Sequence, residues 1–490
     1  MVGKSNPNYK TPANVYDPYA IFQTGVSTQN NLALSSNLGD NSSLRFSFGN
    51  NNENGVLPLN NLNRSTAGVS TRSNFFDNKL RINTSFNYVY SKSRRIQQGS
   101  NTNGLMLGLL RTPPSFNNSY GLADPLNDDD GTGRNRAIYQ SNGRERNYRN
   151  GSGYDNPYWS ILNNPYNDQV SRFYGNIDVT YEFTKLFQVN AKLGTDAYSD
   201  TRVQSFELAS VGSKVAGQIL DDKYNVRIQD FYLNILGNTN ITNDLTFSYV
   251  LGANHYDKVV VNKTIQGDGF AFAGFPSLNN VATVQAFAFN DTRRNFALYG
   301  TADIGYKNFL YLGVTGRNDW VSTLIAPTQG FDGSKINFFY PSVNASFVFS
   351  ELLPKSNVFN LGKIRISYGT VGGGATQPYQ TYTPYVKPNP ADGYTNGISF
   401  PFNGAVGYRL SYTKGNDLNL KPSSTSDFEI GTDLKLVDNR ISISGSFYTR
   451  KTKDAILSVP IPSSTGYNSA ILNAGQLSTT GVDFTLGIIP

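Results

Sequence analysis

The regular alternation of apolar and polar residues is the feature that most limits how this chain can fold. In residues 172–183 (RFYGNIDVTYEF), Gly175, Ile177 and Val179 would lie on one face of a strand, and Asn176 and Asp178 on the other. Successive side chains of a strand point to opposite faces, so this period of two predicts one apolar and one polar face. Many such stretches run to about ten residues, the length with which a tilted strand crosses a bilayer.

The pattern recurs about fifteen times along the chain, which indicates a single large sheet. Strands are predicted near residues 31–38, 44–50, 67–75, 80–92, 172–183, 187–200, 227–237, 244–256, 294–306, 309–319, 339–350, 361–371, 426–436, 441–453 and 480–489.

The links between these strands alternate between short and long. Short links such as 76–79 and 437–439 carry Asn and Asp, which suit tight hairpin turns. Long links are predicted near residues 93–171, 257–293, 320–338 and 372–425. Outer-membrane barrels sort their connections in this way, with short periplasmic turns and long extracellular loops.

Membrane burial also requires the sheet to close, because an unpaired backbone group in lipid costs several kcal/mol. The predicted fold over residues 1–490 is therefore all-β, an antiparallel transmembrane β-barrel of the outer membrane. Its apolar face would meet lipid, and its polar face would meet a water-filled or plugged lumen.

Composition excludes several kinds of function. The chain has no cysteine and one histidine, His255, which excludes thiolate sites and histidine-rich metal sites. The net charge of +7 is spread over 42 basic and 35 acidic residues without a visible recognition helix, so nucleic acid is not an expected partner. We expect no enzyme activity, no catalytic residues, no metal and no cofactor.

Five stretches carry a resemblance to a known family. They are GRNDWVSTL (316–324), FFYPSVNASFVFSELL (338–353), KIRISYGTVG (363–372), the segment 420–467 that begins LKPSSTSDFEIG, and ILNAGQLSTTGVDFTL (471–486). In this order and spacing, the chain resembles the SusC/RagA family of TonB-dependent outer-membrane transporters.

The resemblance implies an internal segment of a barrel of about 22 strands, whose plug domain and terminal strands lie outside these residues. It also implies import of oligosaccharides or oligopeptides, driven by TonB through the plug. A SusD-like lipoprotein would form the lid, and membrane lipid and lipopolysaccharide would surround the barrel.

Two readings other than active transport stay open. A passive outer-membrane porin or adhesin barrel would share every strand feature. A secreted all-β protein that binds or cleaves glycans is the third reading, because paired carboxylates for glycoside hydrolysis cannot be recognised by their spacing.

By the same resemblance, substrate contacts should lie in the long loops. Aromatic rings pack on sugars and peptides, and the candidates are Tyr379, Tyr382, Tyr385, Tyr394 and Trp159. Packing of the loops on themselves would use the same residues. Arginine forks bind phosphate or carboxylate, which makes a second group candidates for an anion contact: Arg134, Arg136, Arg144, Arg146 and Arg149. Asp128, Asp129 and Asp130 resemble part of a calcium loop but lack its full spacing and final Glu.

Overall fold

A computed structural model describes residues 14–98, 104–129, 131, 135–140, 143–149, 153–211, 214–326, 332, 336–354, 356–374, 377–386, 388, 400–416 and 420–489. Within these residues, neighbouring long strands pair antiparallel in the order of the sequence. The strands are β1 (Val26–Asn37), β2 (Ser42–Asn54), β3 (Asn61–Phe75), β4 (Leu80–Arg95), β5 (Tyr166–Thr184), β6 (Phe187–Phe206), β7 (Gln218–Asn240), β8 (Leu245–Phe270), β9 (Val281–Tyr306), β10 (Leu310–Val321), β11 (Asn337–Phe347), β12 (Phe359–Gly373), β16 (Ser423–Leu436), β17 (Ile441–Pro460) and β18 (Ser469–Ile488).

Three two-residue strands lie in the long connection between β12 and β16. β13 (Tyr385–Val386) pairs with β14 (Arg409–Leu410), and β15 (Thr413–Lys414) runs parallel to the start of β18. The about fifteen predicted strands all correspond to long strands of the structure, and the all-β antiparallel prediction is confirmed.

The connections separate into two rims. We call the end that carries the connections 38–41, 76–79, 185–186, 241–244, 307–309, 348–358 and 437–440 the short-turn rim. The opposite end, the long-loop rim, carries 55–60, 96–165, 207–217, 271–280, 322–336, 374–422 and 461–468. The predicted alternation of short and long links is therefore not strict, because 348–358 is longer than 55–60. Asp77 and Asn78 of one tight turn have φ of 53° and 67°, the left-handed conformation that these residue types tolerate.

One predicted loop is wrong. Most of 257–293 is strand, because β8 and β9 are each 26 residues long and leave only 271–280 as a connection. At about 3.3 Å per residue each strand is about 85 Å long, so this hairpin extends well beyond a bilayer. The prediction assumed that each strand ends where it leaves the membrane, but the part of a strand in water has no such limit. The β-branched run Val259–Val261 lies in this part and continues the pairing with β9.

The outer face of the sheet is apolar. Phe173, Ile177, Leu233, Leu298 and Val314 are exposed at alternating positions of their strands. Near the short-turn rim the rings contact one another, with Tyr181 4.6 Å from Phe183, Phe183 5.2 Å from Phe187, and Tyr306 5.5 Å from Phe309, between ring centroids.

A second aromatic contact lies nearer the long-loop rim. The ring of Phe296 in β9 lies 5.6 Å from that of Trp320 in β10, between centroids. On its other side, Phe296 pairs with His255 of the neighbouring strand β8. From Phe296 to Tyr306 the strand advances about 33 Å at about 3.3 Å per residue. A tilt of about 40° reduces this to about 25 Å, the height of the apolar band of an outer-membrane barrel. The sole histidine therefore lies on the outer face, with aromatic neighbours.

Buried hydrophobic side chains gather at the long-loop rim rather than on the sheet. Helices α1 (Leu105–Arg111) and α2 (Pro157–Asn163) contribute Leu105, Leu109 and Trp159 to one cluster, which Ile21 joins from the segment before β1. We call this cluster and the segments that form it the loop domain. Among the described residues, no helix is both long and apolar enough to span a membrane.

Candidate functional site

The inner face of the sheet is a hydrogen-bonded polar wall. Asn190 Nδ2 donates to Asp178 Oδ1 at 3.0 Å, and Asn234 Nδ2 donates to Asn190 Oδ1 at 3.1 Å. Tyr299 then donates to Asn234, and the Arg317 guanidinium lies 5.3 Å above the Tyr299 ring. These side chains come from β5, β6, β7, β9 and β10, so the chain of contacts crosses this part of the barrel.

Ion pairs continue the wall on both sides of this network. Arg172 donates from Nε and Nη2 to the two carboxylate oxygens of Asp196, at 2.7 and 2.6 Å. Most of the charged side chains in such pairs are partly exposed, so each pair adds little to stability. Their common effect is a hydrophilic surface on the face opposite the apolar one. Further pairs are Arg81–Glu182, Arg95–Asp168, Arg202–Asp200, Arg317–Asp319, Arg365–Glu429 and Arg450–Asp427.

The loop domain is ordered by local signals and by long-range burial. Asn156 caps α2, where its Oδ1 accepts from the backbone N–H of Tyr158 at 2.9 Å, and Pro157 fits the first turn of a helix. The Trp159 side chain is 0% exposed. Its Nε1 donates to Ser210 Oγ at 2.9 Å, and its ring meets Tyr139 edge-on at 5.0 Å.

Trp159 is therefore not an accessible ligand platform, and its prediction as a substrate contact is wrong. The ring anchors α2 to the connection between β6 and β7. Sequence reasoning could not separate this ring from an exposed one, because the residues that bury it come from distant segments.

The predicted arginine group is not assembled into one site. Arg136 binds Asp128 through Nε and Nη2, at 3.0 and 2.9 Å, and this guanidinium lowers the pKa of Asp128. Arg146 donates to the carbonyl oxygens of Asn117 and Ala137 at 2.7 and 3.3 Å.

The Arg146 guanidinium also lies 4.6 Å above the Phe116 ring, and burial lowers its pKa. Arg149 lies 5.8 Å above the Tyr154 ring, and Arg144 is exposed. Arg134 lies outside the described residues, as does Asp130 of the aspartate run. In the part of the chain that the structure describes, no group of three or more His, Cys, Asp or Glu residues could hold a metal ion.

The loop domain buries two carboxyl groups that sequence reasoning missed. Glu145 and Asp155 are 1% and 2% exposed and share a hydrogen bond. Asp155 Oδ1 accepts from the backbone N–H of Val211 at 2.6 Å, and its Oδ2 accepts from Asn164 Nδ2 at 3.1 Å. Burial raises the pKa of Asp155 to about 7 and raises that of Glu145 well above its usual value, with further repulsion from Asp155. No sequence signal marks them, because both look like loop charges.

The tyrosines of the connection 374–422 are accessible. Tyr379 and Tyr382 meet edge-on at 6.3 Å, and both are exposed. Tyr385 in β13 is 74% exposed and pairs with Leu410 of β14. Tyr394 lies outside the described residues. This loop thus presents aromatic rings at the long-loop rim, as a substrate contact there requires.

Comparison with known proteins agrees with this geometry. Residues 112–488 match the family model described as TonB dependent receptor-like, beta-barrel. The chain is 26% identical to the TonB-dependent receptor SusC of Bacteroides thetaiotaomicron, over 96% of this chain and 45% of SusC. It is 25% identical to the TonB-dependent receptor P3 of Formosa agariphila, over 71% of this chain and 34% of P3.

Solved structures share the fold. A structure of the RagAB peptide transporter superposes with a TM-score of 0.76 at 19% identity, over 97% of this chain and 50% of that one. The ferric-catecholate import receptor Fiu of E. coli K12 superposes with a TM-score of 0.54 at 10% identity, over 95% of this chain and 62% of that one. The chain spans about half the length of SusC and of the RagAB chain. It belongs to the TonB-dependent receptor β-barrel family of the Gram-negative outer membrane.

Proposed function

We propose that the chain forms most of the barrel of an active importer that takes up oligosaccharides or oligopeptides. The observation that carries the proposal is the two-faced wall, with an apolar belt outside and a polar hydrogen-bonded network inside. Its relatives are named TonB-dependent receptors, and one matched structure is named a peptide transporter, which supports energised import. TonB would act through a plug domain, and a SusD-like lipoprotein would cover the long-loop rim.

Within this proposal, the long-loop rim faces outward and Tyr379, Tyr382 and Tyr385 contact the substrate. Their exposure and their place on one connection support this assignment. Contacts of the arginine group with lipopolysaccharide phosphates or an acidic ligand stay a prediction for Arg134, Arg136, Arg144, Arg146 and Arg149. Arg136 also binds Asp128, and Arg146 also binds backbone carbonyls.

An uptake assay in cells that carry the whole protein tests the proposal. Fluorescently labelled oligosaccharide and peptide pools are supplied with and without an uncoupler that collapses the proton gradient. We expect uptake of one pool, its loss with the uncoupler, and a strong reduction when Tyr379, Tyr382 and Tyr385 are all replaced by Ala.

Tyr467→Ala provides the matched control, because Tyr467 lies in the connection 461–468 at the same rim and has no assigned role. Uptake that rises linearly with concentration and ignores the uncoupler would instead indicate a passive porin. Purification of the protein without detergent would contradict any membrane function.

A further inference from the structure

A cavity of about 130 Å³ lies between the segment before β1 and the loop domain. Tyr16, Asp17 and Pro18 line one wall, and Pro114, Asn118 and Tyr158 line the other. The backbone N–H of Tyr16 donates to the carbonyl oxygen of Pro114 at 2.8 Å, which fastens the two walls together. The volume is well above the roughly 10–15 Å³ that one water molecule requires.

One buried polar atom at this cavity lacks a partner. Asn118 Oδ1 is buried and has no hydrogen-bond partner in the described part of the chain. Tyr158 is 7% exposed and lines the same cavity, where its hydroxyl adds a second polar group. Buried polar atoms without partners are rare and costly, so Asn118 Oδ1 indicates a ligand or ordered water at this cavity.

The walls favour a neutral ring. Tyr16 and the prolines Pro113 and Pro114 offer flat apolar surfaces, whereas the Arg146 guanidinium covers one face of Phe116. Asp17 is the one charged side chain among the described lining residues. A carboxylate at the wall disfavours anions. Sugar hydroxyls both donate and accept, and the C–H faces of a sugar ring pack against aromatic rings and prolines.

We propose that this cavity binds one neutral sugar ring, with Asn118 Oδ1 accepting from one hydroxyl and the Tyr158 hydroxyl bonding another. The proposal deepens the importer proposal and rests on it for the biological use of the site. Binding would bridge the segment 14–22 and the loop domain, two parts of the chain that are distant in sequence. It would hold a sugar at the long-loop rim, away from the tyrosines Tyr379 and Tyr385.

The test is isothermal titration of the full chain in detergent, with glucose, galactose and mannose as separate probes and a proline-containing tripeptide as the competing class. We expect one sugar to bind and the tripeptide not to bind. Tyr158→Phe keeps the ring and removes only the hydroxyl, so the affinity should fall about three- to tenfold while the thermal midpoint is unchanged. Ala20→Phe, at a cavity-lining position, should abolish binding by occupying the space.

Tyr19→Phe is the matched control, since Tyr19 lies in the same segment, is exposed and is not among the lining residues. Binding of none of the three sugars at millimolar concentration overturns the proposal and leaves the cavity to water. Binding of the tripeptide in place of the sugars also overturns the proposal. An equal effect of Tyr158→Phe and Tyr19→Phe on the sugar affinity overturns it as well. The uptake assay is separate: energised uptake without sugar binding refutes only this site, and passive uptake with Tyr158-dependent binding refutes only the importer.

Discussion

Raising the pH should loosen the loop domain, because Glu145 and Asp155 are buried against each other. The groups that face the pair are neutral donors: the backbone N–H groups of Val211 and Asn156 and the side-chain amides of Asn147 and Asn164. The pKa of Asp155 is about 7 in the folded loop and near 3.8 in an unfolded one. The folded loop therefore keeps a proton that the unfolded loop releases.

The sign and size of the effect follow from this difference. Stability is fully present below about pH 4, decreases as the pH rises, and levels off above about pH 7 as Asp155 ionises in the folded loop. Each tenfold change in proton affinity corresponds to about 1.4 kcal/mol. The change of Asp155 from 3.8 to about 7 thus corresponds to a loss of about 4 kcal/mol in the free energy of unfolding of the loop. Glu145, whose pKa is also raised, acts in the same direction.

Trp159 provides the assay, because it is buried beside α2 in the same domain. In a Trp320→Phe background it is the one remaining tryptophan, since the chain has 2. Urea titrations of its emission between about pH 4 and about pH 8 give the free energy of local unfolding at each pH. Asp155→Asn should reduce the pH dependence, since an amide oxygen can still accept from Val211 but does not titrate, and the part that remains should come from Glu145, whose pKa is raised mainly by its own burial.

Asp124→Asn is the control, because Asp124 is an exposed carboxylate of the same connection that accepts from Asn127 Nδ2 at 2.8 Å. It should leave the pH dependence as in the unmodified chain. A loop stability that stays constant or increases from about pH 4 to about pH 7 would refute the reasoning.

Three further predictions concern the wall and the loop domain. A Cβ at position 252 would lie 2.4 Å from the Tyr299 ring, so Gly252→Ala should lower the free energy of unfolding by about 1–3 kcal/mol and lower the unfolding temperature in a heat-induced gel-shift assay. Gly194→Ala, whose Cβ would meet only an ordinary 3.7 Å contact, should leave that temperature unchanged. Val314→Arg places a charge near the middle of the apolar belt and should reduce the folding stability in lipid by about 2–4 kcal/mol. Thr315→Arg, on the inner face, should reduce that stability far less, and equal losses would contradict the assignment of faces. Ser210→Ala leaves Trp159 Nε1 without its partner and should lower the free energy of unfolding of the loop domain by about 1–3 kcal/mol, seen as a lower urea midpoint. An unchanged midpoint would contradict the anchoring role.

The strands and the faces of the sheet were predictable because they depend on local information. Ile177 and Asp178 are neighbours in sequence, and a strand must place them on opposite faces. The extent of β8 and β9 was not predictable in this way, because the membrane limits only the part of a strand inside it. Pairing with a long neighbour decides how far the rest of the strand continues.

The loop residues show the other limit. Trp159 and Tyr385 look alike in sequence as aromatic residues of long connections, yet one is buried against Ser210 and the other is exposed. Arg136 and Arg146 are near in sequence, but one faces Asp128 and the other faces backbone carbonyls. The partners that decide these roles are chosen by how the segments fold together.

By itself, the sequence determined the membrane barrel of this protein, since the period of two and the sorting of short and long links are properties of neighbouring residues. Only the tertiary structure decided which loop side chains are accessible, and it alone brought Glu145 to Asp155 and Tyr158 to the cavity beside Tyr16. The physical reason is that burial and charge pairing depend on segments far apart in the chain, whose meeting no local pattern encodes.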